Sequence, residues 1–129
     1  MLNLVNPDTL PAPASNYSHN VEVPEGTRLV FVSGQVGLDT DGNCADDFAG
    51  QCDQTFANIK AALAAMDMQM SDLVRLNAFL TDAGDVGGFR DIRDKWMEGH
   101  AAASTLVMVP ALAAPNWKVE IEVVASLSK

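Results

Sequence analysis

The chain has 129 residues, enough for one ordinary domain with its own core, and its 48% hydrophobic and 19% charged residues are the balance of a folded globular protein. Seventeen acidic residues against eight basic ones give a net charge of −9, which repels a phosphate backbone and argues against nucleic acid as a partner. No apolar run approaches a membrane span, and the N-terminal residues lack the basic start and apolar core of a signal peptide; a cytoplasmic protein with no membrane partner, one domain over residues 1–129, is expected.

Residues 1–14 carry Pro7, Pro11 and Pro13 and read as an extended entry segment. Residues 17–23 form a candidate first strand, and Pro24-Glu25-Gly26-Thr27 has turn composition. Residues 28–35 are a strongly apolar second strand. Asp39, Asp41, Gly42 and Asn43 then mark a hairpin or loop. Asp46 or Asp47 is placed to cap a helix in which Phe48, Cys52, Phe56, Ile59, Leu63 and Met66 recur at steps of four and three, one buried stripe.

Residues 72–80 read as a third strand with Val74, Leu76, Ala78 and Leu80 on one face. A second helix follows from Val86 or Phe89 to Glu98, with Phe89, Ile92, Trp96 and Met97 as its stripe and Gly99 as its stop. Residues 105–109 and 118–126 are the closing strands, separated by Pro110 and Pro115. In the last of them Val119, Ile121 and Val123 alternate with Glu120 and Glu122, the period of a half-buried strand. Two carboxylates side by side on one strand face repel each other unless water or a cation separates them. The order β-β-α-β-α-β-β gives an α+β fold, with two helices over one face of a mixed sheet. The other face needs an apolar partner, which self-association would supply.

Several chemistries find no support. Cys44 and Cys52 lack zinc spacing and lie far in sequence from His19 and His100, so two reduced thiols and no metal site are expected. Ser33 and Ser104 have neither a nearby His nor a nucleophile elbow. The glycines at 34, 37 and 42 lack the Lys and helix of a phosphate loop. His100, after Gly99, reads as a solvated loop residue.

Five segments, Tyr17-Ser18, Phe31-Val32-Ser33-Gly34-Gln35-Val36, Phe79-Leu80-Thr81-Asp82, Ser104-Thr105-Leu106-Val107 and Val119-Glu120-Ile121-Glu122, together resemble the Rid proteins, the reactive-intermediate deaminases also called YjgF-like or L-PSP endoribonuclease-like. The resemblance covers nearly the whole chain. It implies a chorismate-mutase-like fold assembled as a homotrimer, with small-molecule clefts between subunits. It also implies cofactor-free hydrolysis of an enamine or imine: an arginine grips the substrate carboxylate, and a glutamate on the last strand orients the attacking water. A tyrosine, the Ser-Gly-Gln strand and a helix asparagine complete the family's cleft.

Tyr17, Gly34 and Glu120 match that pattern. Ser104 stands where the resemblance places the arginine, after Ala102-Ala103 in place of Pro-Ala, and one hydroxyl cannot replace a bidentate clamp. The helix asparagine aligns with Arg93; Arg28, Arg75 and Arg90 fall outside the matched positions. From spacing alone, Arg93 lies on or beside the apolar stripe. There it either packs its stem while the guanidinium reaches water or pairs with Asp94 or Glu98 of a neighbouring chain, or points into the cleft as a replacement clamp. Glu120 is either an ordinary surface carboxylate or a cleft residue, and Tyr17 either a packing residue or a cleft wall. Three functions stand: a deaminase-like hydrolase, ahead of a non-catalytic metabolite-binding trimer, and well behind them a ribonuclease, which the acidic charge opposes.

Overall fold

The computed structural model describes residues 1–127. Two short strands, β1 (Asn3–Val5) and β2 (Asn20–Glu22), pair antiparallel as a ribbon. Then come β3 (Arg28–Gln35), α1 (Phe48–Ala64), β4 (Leu73–Leu80), α2 (Val86–Met97), β5 (Ala103–Met108) and β6 (Val119–Leu127). The main sheet is mixed, in the order β3-β6-β4-β5, with β4 and β5 parallel and the other pairs antiparallel. The α+β class and the two-helix, mixed-sheet layout are those expected. The added strand is β1, within the proline-rich entry segment. Its few residues pair with β2 and leave the main sheet untouched.

Helix α1 starts where Asp47 accepts a hydrogen bond from the Gly50 N–H at 3.2 Å. Cys52, Phe56, Ile59 and Leu63 are buried along one stripe, as their spacing requires. Met66 is not part of it: the helix ends at Ala64, Asp67 turns left-handed at φ 58°, and Met66 is exposed. Helix α2 ends as the sequence suggests, with Glu98 and Gly99 both at positive φ, 50° and 87°. Its buried line is Phe89, Arg93 and Met97, with Ile92 and Trp96 half-buried beside it.

The core lies between the helices and one sheet face. Strand β6 contributes Val119, Ile121, Val123 and Ala125, and β4 contributes Leu73, Leu76, Ala78 and Leu80. A register shift between Leu73 and Arg75 explains why Leu73, rather than Val74, enters the core at the start of β4. The opposite face keeps Leu29, Phe31 and Val107 exposed, Phe31 by 75%. No helix among the described residues is long and apolar enough to cross a membrane.

Phe56 joins the two helices, its ring centroid 6.2 Å from Phe89 and 6.4 Å from Trp96. It is fully buried, so Phe56→Ala is expected to cost about 3–5 kcal/mol, read as a lower urea midpoint with unchanged slope. A surface tie acts beside it. Asp53 on α1 accepts from Trp96 Nε1 at 2.9 Å and from Lys95 Nζ at 3.1 Å, both on α2. Those bonds, Trp96's first, hold its carboxyl below the usual range. A depressed folded-state pKa contributes stability that is present above the unfolded value, about 3.9, and lost as pH falls through the folded value. Thermal melts should therefore place Asp53→Asn below wild type at pH 7, with the gap closing below about pH 4.

Candidate functional site

The candidate residues fall into two groups on opposite faces of the sheet. Strand alternation forces the division. Leu76 pairs with Ser104 and Ala78 with Leu106, and Leu76 and Ala78 are core residues; Ser104 therefore lies on the helix side. Val119 and Ile121 are also core residues, so Glu120 between them lies on the open side.

On the helix side, Tyr17, Arg93 and Ser104 line one cavity of about 220 Å³, together with Ser15, Arg90 and Leu106. Backbone pairing brings Tyr17 there. The Ser18 N–H donates to the Ala102 carbonyl at 3.1 Å, and Ser18 bridges Ala103 in parallel fashion. Asn16 Nδ2 donates to the His100 carbonyl at 3.2 Å. The ring of His100 is itself engaged, its Nε2 2.7 Å from the Leu73 carbonyl oxygen. His100 is thus a half-buried fastener at the entry to β5, not the solvated loop residue expected. The Tyr17 ring meets the His19 ring edge-on at 5.6 Å.

Arg93 is 4% exposed. Its guanidinium sits 5.7 Å from the Phe89 ring centroid, and its Nε donates to Asp94 Oδ1 at 3.0 Å. Nη2 also approaches that oxygen at 3.0 Å, but without hydrogen-bond geometry, so it is a buried donor with no hydrogen-bond partner among the described residues. The Arg93 side chain does not reach water; its guanidinium pairs with Asp94 of the same chain and lies over the Phe89 ring, and the residue is among those lining the cavity. Leaving a charged group's donor unpaired in a buried setting costs more than leaving a neutral one. An anionic ligand would relieve that cost.

Sequence reasoning passed over Arg90. It lies three residues before Arg93, one helical turn away, and that spacing was the available signal. It is exposed and lines the same cavity.

On the open side, Glu120 lies directly over Gly34. A Cβ placed on Gly34 would collide with Glu120 Oε2 and approach its Cδ to 2.8 Å. The β3–β6 register shifts between Val32 and Gln35, a bulge that carries Gly34 under the carboxylate. Glu122 accepts from Asn77 Nδ2 at 3.3 Å, and Arg75 Nη2 donates to Thr105 Oγ1 at 2.6 Å. The structure thus joins Tyr17, Arg93 and Ser104, and separately Gly34 and Glu120, with the sheet between the two groups.

A larger cavity, about 540 Å³, is lined by Met1, Leu2, Leu4, Leu127 and others and contains none of the five candidates. Cys52 is fully buried, and burial, with Asp53 and Asp85 adding to it, pushes its thiol up to about 12. Burial first, then Asp46, also raises Cys44. Neither thiol is a thiolate nucleophile at neutral pH. Among the described residues, no cluster of three or more His, Cys, Asp or Glu is placed to hold a metal ion.

The endoribonuclease L-PSP family model matches residues 8–127. A Myxococcus xanthus relative, protein DfrA, is 34% identical over 123 residues, covering 94% of this chain and 92% of its own. A 2-iminobutanoate/2-iminopropanoate deaminase of Dermatophagoides farinae is 29% identical over 121 residues, covering 92% and 91%. Among solved structures, YyfB of Yersinia pestis, a protein of the conserved Rid family, superposes with a TM-score of 0.87 at 28% identity over 98% of both chains. E. coli TdcF with bound serine superposes with a TM-score of 0.74 at 25% identity, over 98% of this chain and 99% of that one.

The contact between Gly34 and Glu120 gives a direct test of their pairing. The colliding atoms belong to the flexible end of a side chain, so Gly34→Ala should keep the fold while driving the Glu120 carboxylate aside. An unchanged melting temperature with a crystallographic shift of Glu120 is the expected outcome. A carboxylate that stays in place would show that the backbone yields instead.

Proposed function

The chain belongs to the endoribonuclease L-PSP (Rid) family, and from that premise we propose that it is one Rid-type domain that hydrolyses a small anionic imine without a cofactor, in a cleft between copies of itself. The observation that carries this reading is the cavity lined by Tyr17, Arg93 and Ser104, where the buried guanidinium keeps a nitrogen without a hydrogen bond among the described residues. The serine held by E. coli TdcF and the imine substrates named for the mite relative are small amino-acid-like acids of the size such a cavity admits.

The chemistry divides between the two groups of residues. Arg93 binds the ligand carboxylate, Ser104 adds one hydroxyl, and the Tyr17 ring forms a wall. Glu120 accepts a proton from water, whose oxygen bonds to the imine carbon. The resulting carbinolamine expels ammonia and leaves a carbonyl product, with the proton returned to nitrogen. Because the sheet separates Glu120 from Arg93 in one chain, Glu120 and Gly34 of one copy must face the Arg93 cavity of another. A homotrimer in the cytoplasm, with no nucleic-acid or membrane partner, is the assembly this reading takes. The exposed Leu29, Phe31 and Val107 supply an apolar surface for it.

A second reading, non-catalytic capture of the same anion, is favoured by one observation: a single chain lines the cation cavity but keeps its carboxylate on the other face. Ammonia release from imino acids generated in situ separates the two. Wild type should accelerate release over the uncatalysed rate, and Glu120→Gln should lower that acceleration by roughly 10²–10⁴-fold, the range for a lost general base. Mixed assemblies of Glu120→Gln and Arg93→Ala chains should recover part of the activity, because some clefts then combine an intact Glu120 with an intact Arg93. Anion binding without any acceleration would decide for the binding protein, and mixing without recovery would place the site within one chain.

A further inference from the structure

The cavity holds a second cation that the reading above does not use. Arg90 and Arg93 both line it, one helical turn apart on α2, but their circumstances differ. Arg93 is buried and shares its charge with Asp94. Arg90 is exposed and makes no ion pair among the described residues. Of the cavity's lining residues, Ala14, Ser15, Tyr17, Arg90, Arg93, Ser104 and Leu106, none is acidic. With Asp94 offsetting one of the two arginines, the wall keeps a local surplus of positive charge in a chain whose net charge is −9.

A single carboxylate satisfies Arg93 and leaves Arg90 idle. Two acidic groups engage both: one held at buried Arg93, the other met by a side chain free to swing onto it. We infer that the ligand of this cavity is a small organic acid with two carboxylates, and that Arg90 is the residue selecting the second. The inference rests on the proposed anion site at Arg93. It extends that reading to a substrate class, an imine of a dicarboxylic acid such as an acidic amino acid would yield on oxidation.

Calorimetry with stable probes tests it: succinate and oxaloacetate as dicarboxylates, acetate and pyruvate as monocarboxylates, and inorganic phosphate as a compact dianion. Wild type should bind the dicarboxylates roughly tenfold or more tighter than the monocarboxylates, the scale of one added charge-assisted hydrogen bond. Arg90→Ala should erase that preference while leaving monocarboxylate binding in place, and Arg90→Lys should restore part of it. Arg93→Ala should weaken every probe. A dicarboxylate preference that survives Arg90→Ala, or Arg90-dependent phosphate binding as tight as succinate's, overturns the inference while the Arg93 site stands. Probes that bind wild type and Arg93→Ala alike overturn the anion site itself.

Discussion

The side-chain amide of Gln51 is the constraint on which the geometry of the open face depends. It is buried to 1% exposure, and its bonds converge on one place. Nε2 donates to the carbonyls of Ala45 and Asn116, each at 2.9 Å, and Oε1 accepts from the Lys118 N–H at 2.8 Å. One side chain therefore joins the loop before α1, the end of the β5–β6 connection and the entry to β6, two residues before Glu120. The loop leaving β3 is fixed from the same helix. Asn58 Nδ2 donates to Val36 and Leu38 carbonyls, and a Cβ on Gly37 would sit 2.7 Å from the Gln51 Cα, so only glycine allows the loop this close. Gly34 and Glu120 meet because both strands are pinned to α1. A buried amide with every polar atom bonded is stable; one left half-paired would cost more than an apolar residue in its place.

The second constraint is the sheet itself. A pleated strand sends neighbouring residues to opposite faces, so a carboxylate on one face and a cation cavity on the other cannot act on one molecule within one chain. The polar atoms of the open face suggest that solvent is not its final environment. Asn77 Oδ1 is buried with no hydrogen-bond partner among the described residues, beside the Asn77–Glu122 bond and on the same sheet face as exposed Phe31 and Val107. Under the proposed assembly a neighbouring copy covers this face and offers a donor. The same contact brings a Glu120 to an Arg93 cavity, so packing and chemistry make a common demand.

How much of this the sequence disclosed follows from the range of each signal. Local periodicity located both helices and all four main strands, because burial patterns repeat every two or 3.6 residues and need no partner to be read. Strand β1 was hidden by prolines and by having only three residues. Met66 was misplaced because the left-handed turn at Asp67 has no glycine to announce it. The alternation of Glu120 with core residues was legible; that Ser104 lies on the other face was not, since it depends on the parallel register between β4 and β5. Arg90 was passed over for a related reason. Helical spacing put it beside Arg93, but only the bridge between Ser18 and Ala103 closes the cavity around both.

Under the proposed function, charge lets so acidic a chain receive an acidic ligand and disfavours a polyanion. At physiological ionic strength, fields between exposed charges fade over about 8 Å. A small anion entering the cavity would meet Arg90 and Arg93 within their own screening length. An RNA strand extends over many such lengths and would meet the acidic remainder of the surface with only eight basic residues in the whole chain to neutralise it. Under the proposed function, the two-arginine cavity and the acidic surface would act together as a size filter. On that reading, two arginines in one small cavity offer a compact acid a local positive site, while the net charge of −9 disfavours a long polyanion.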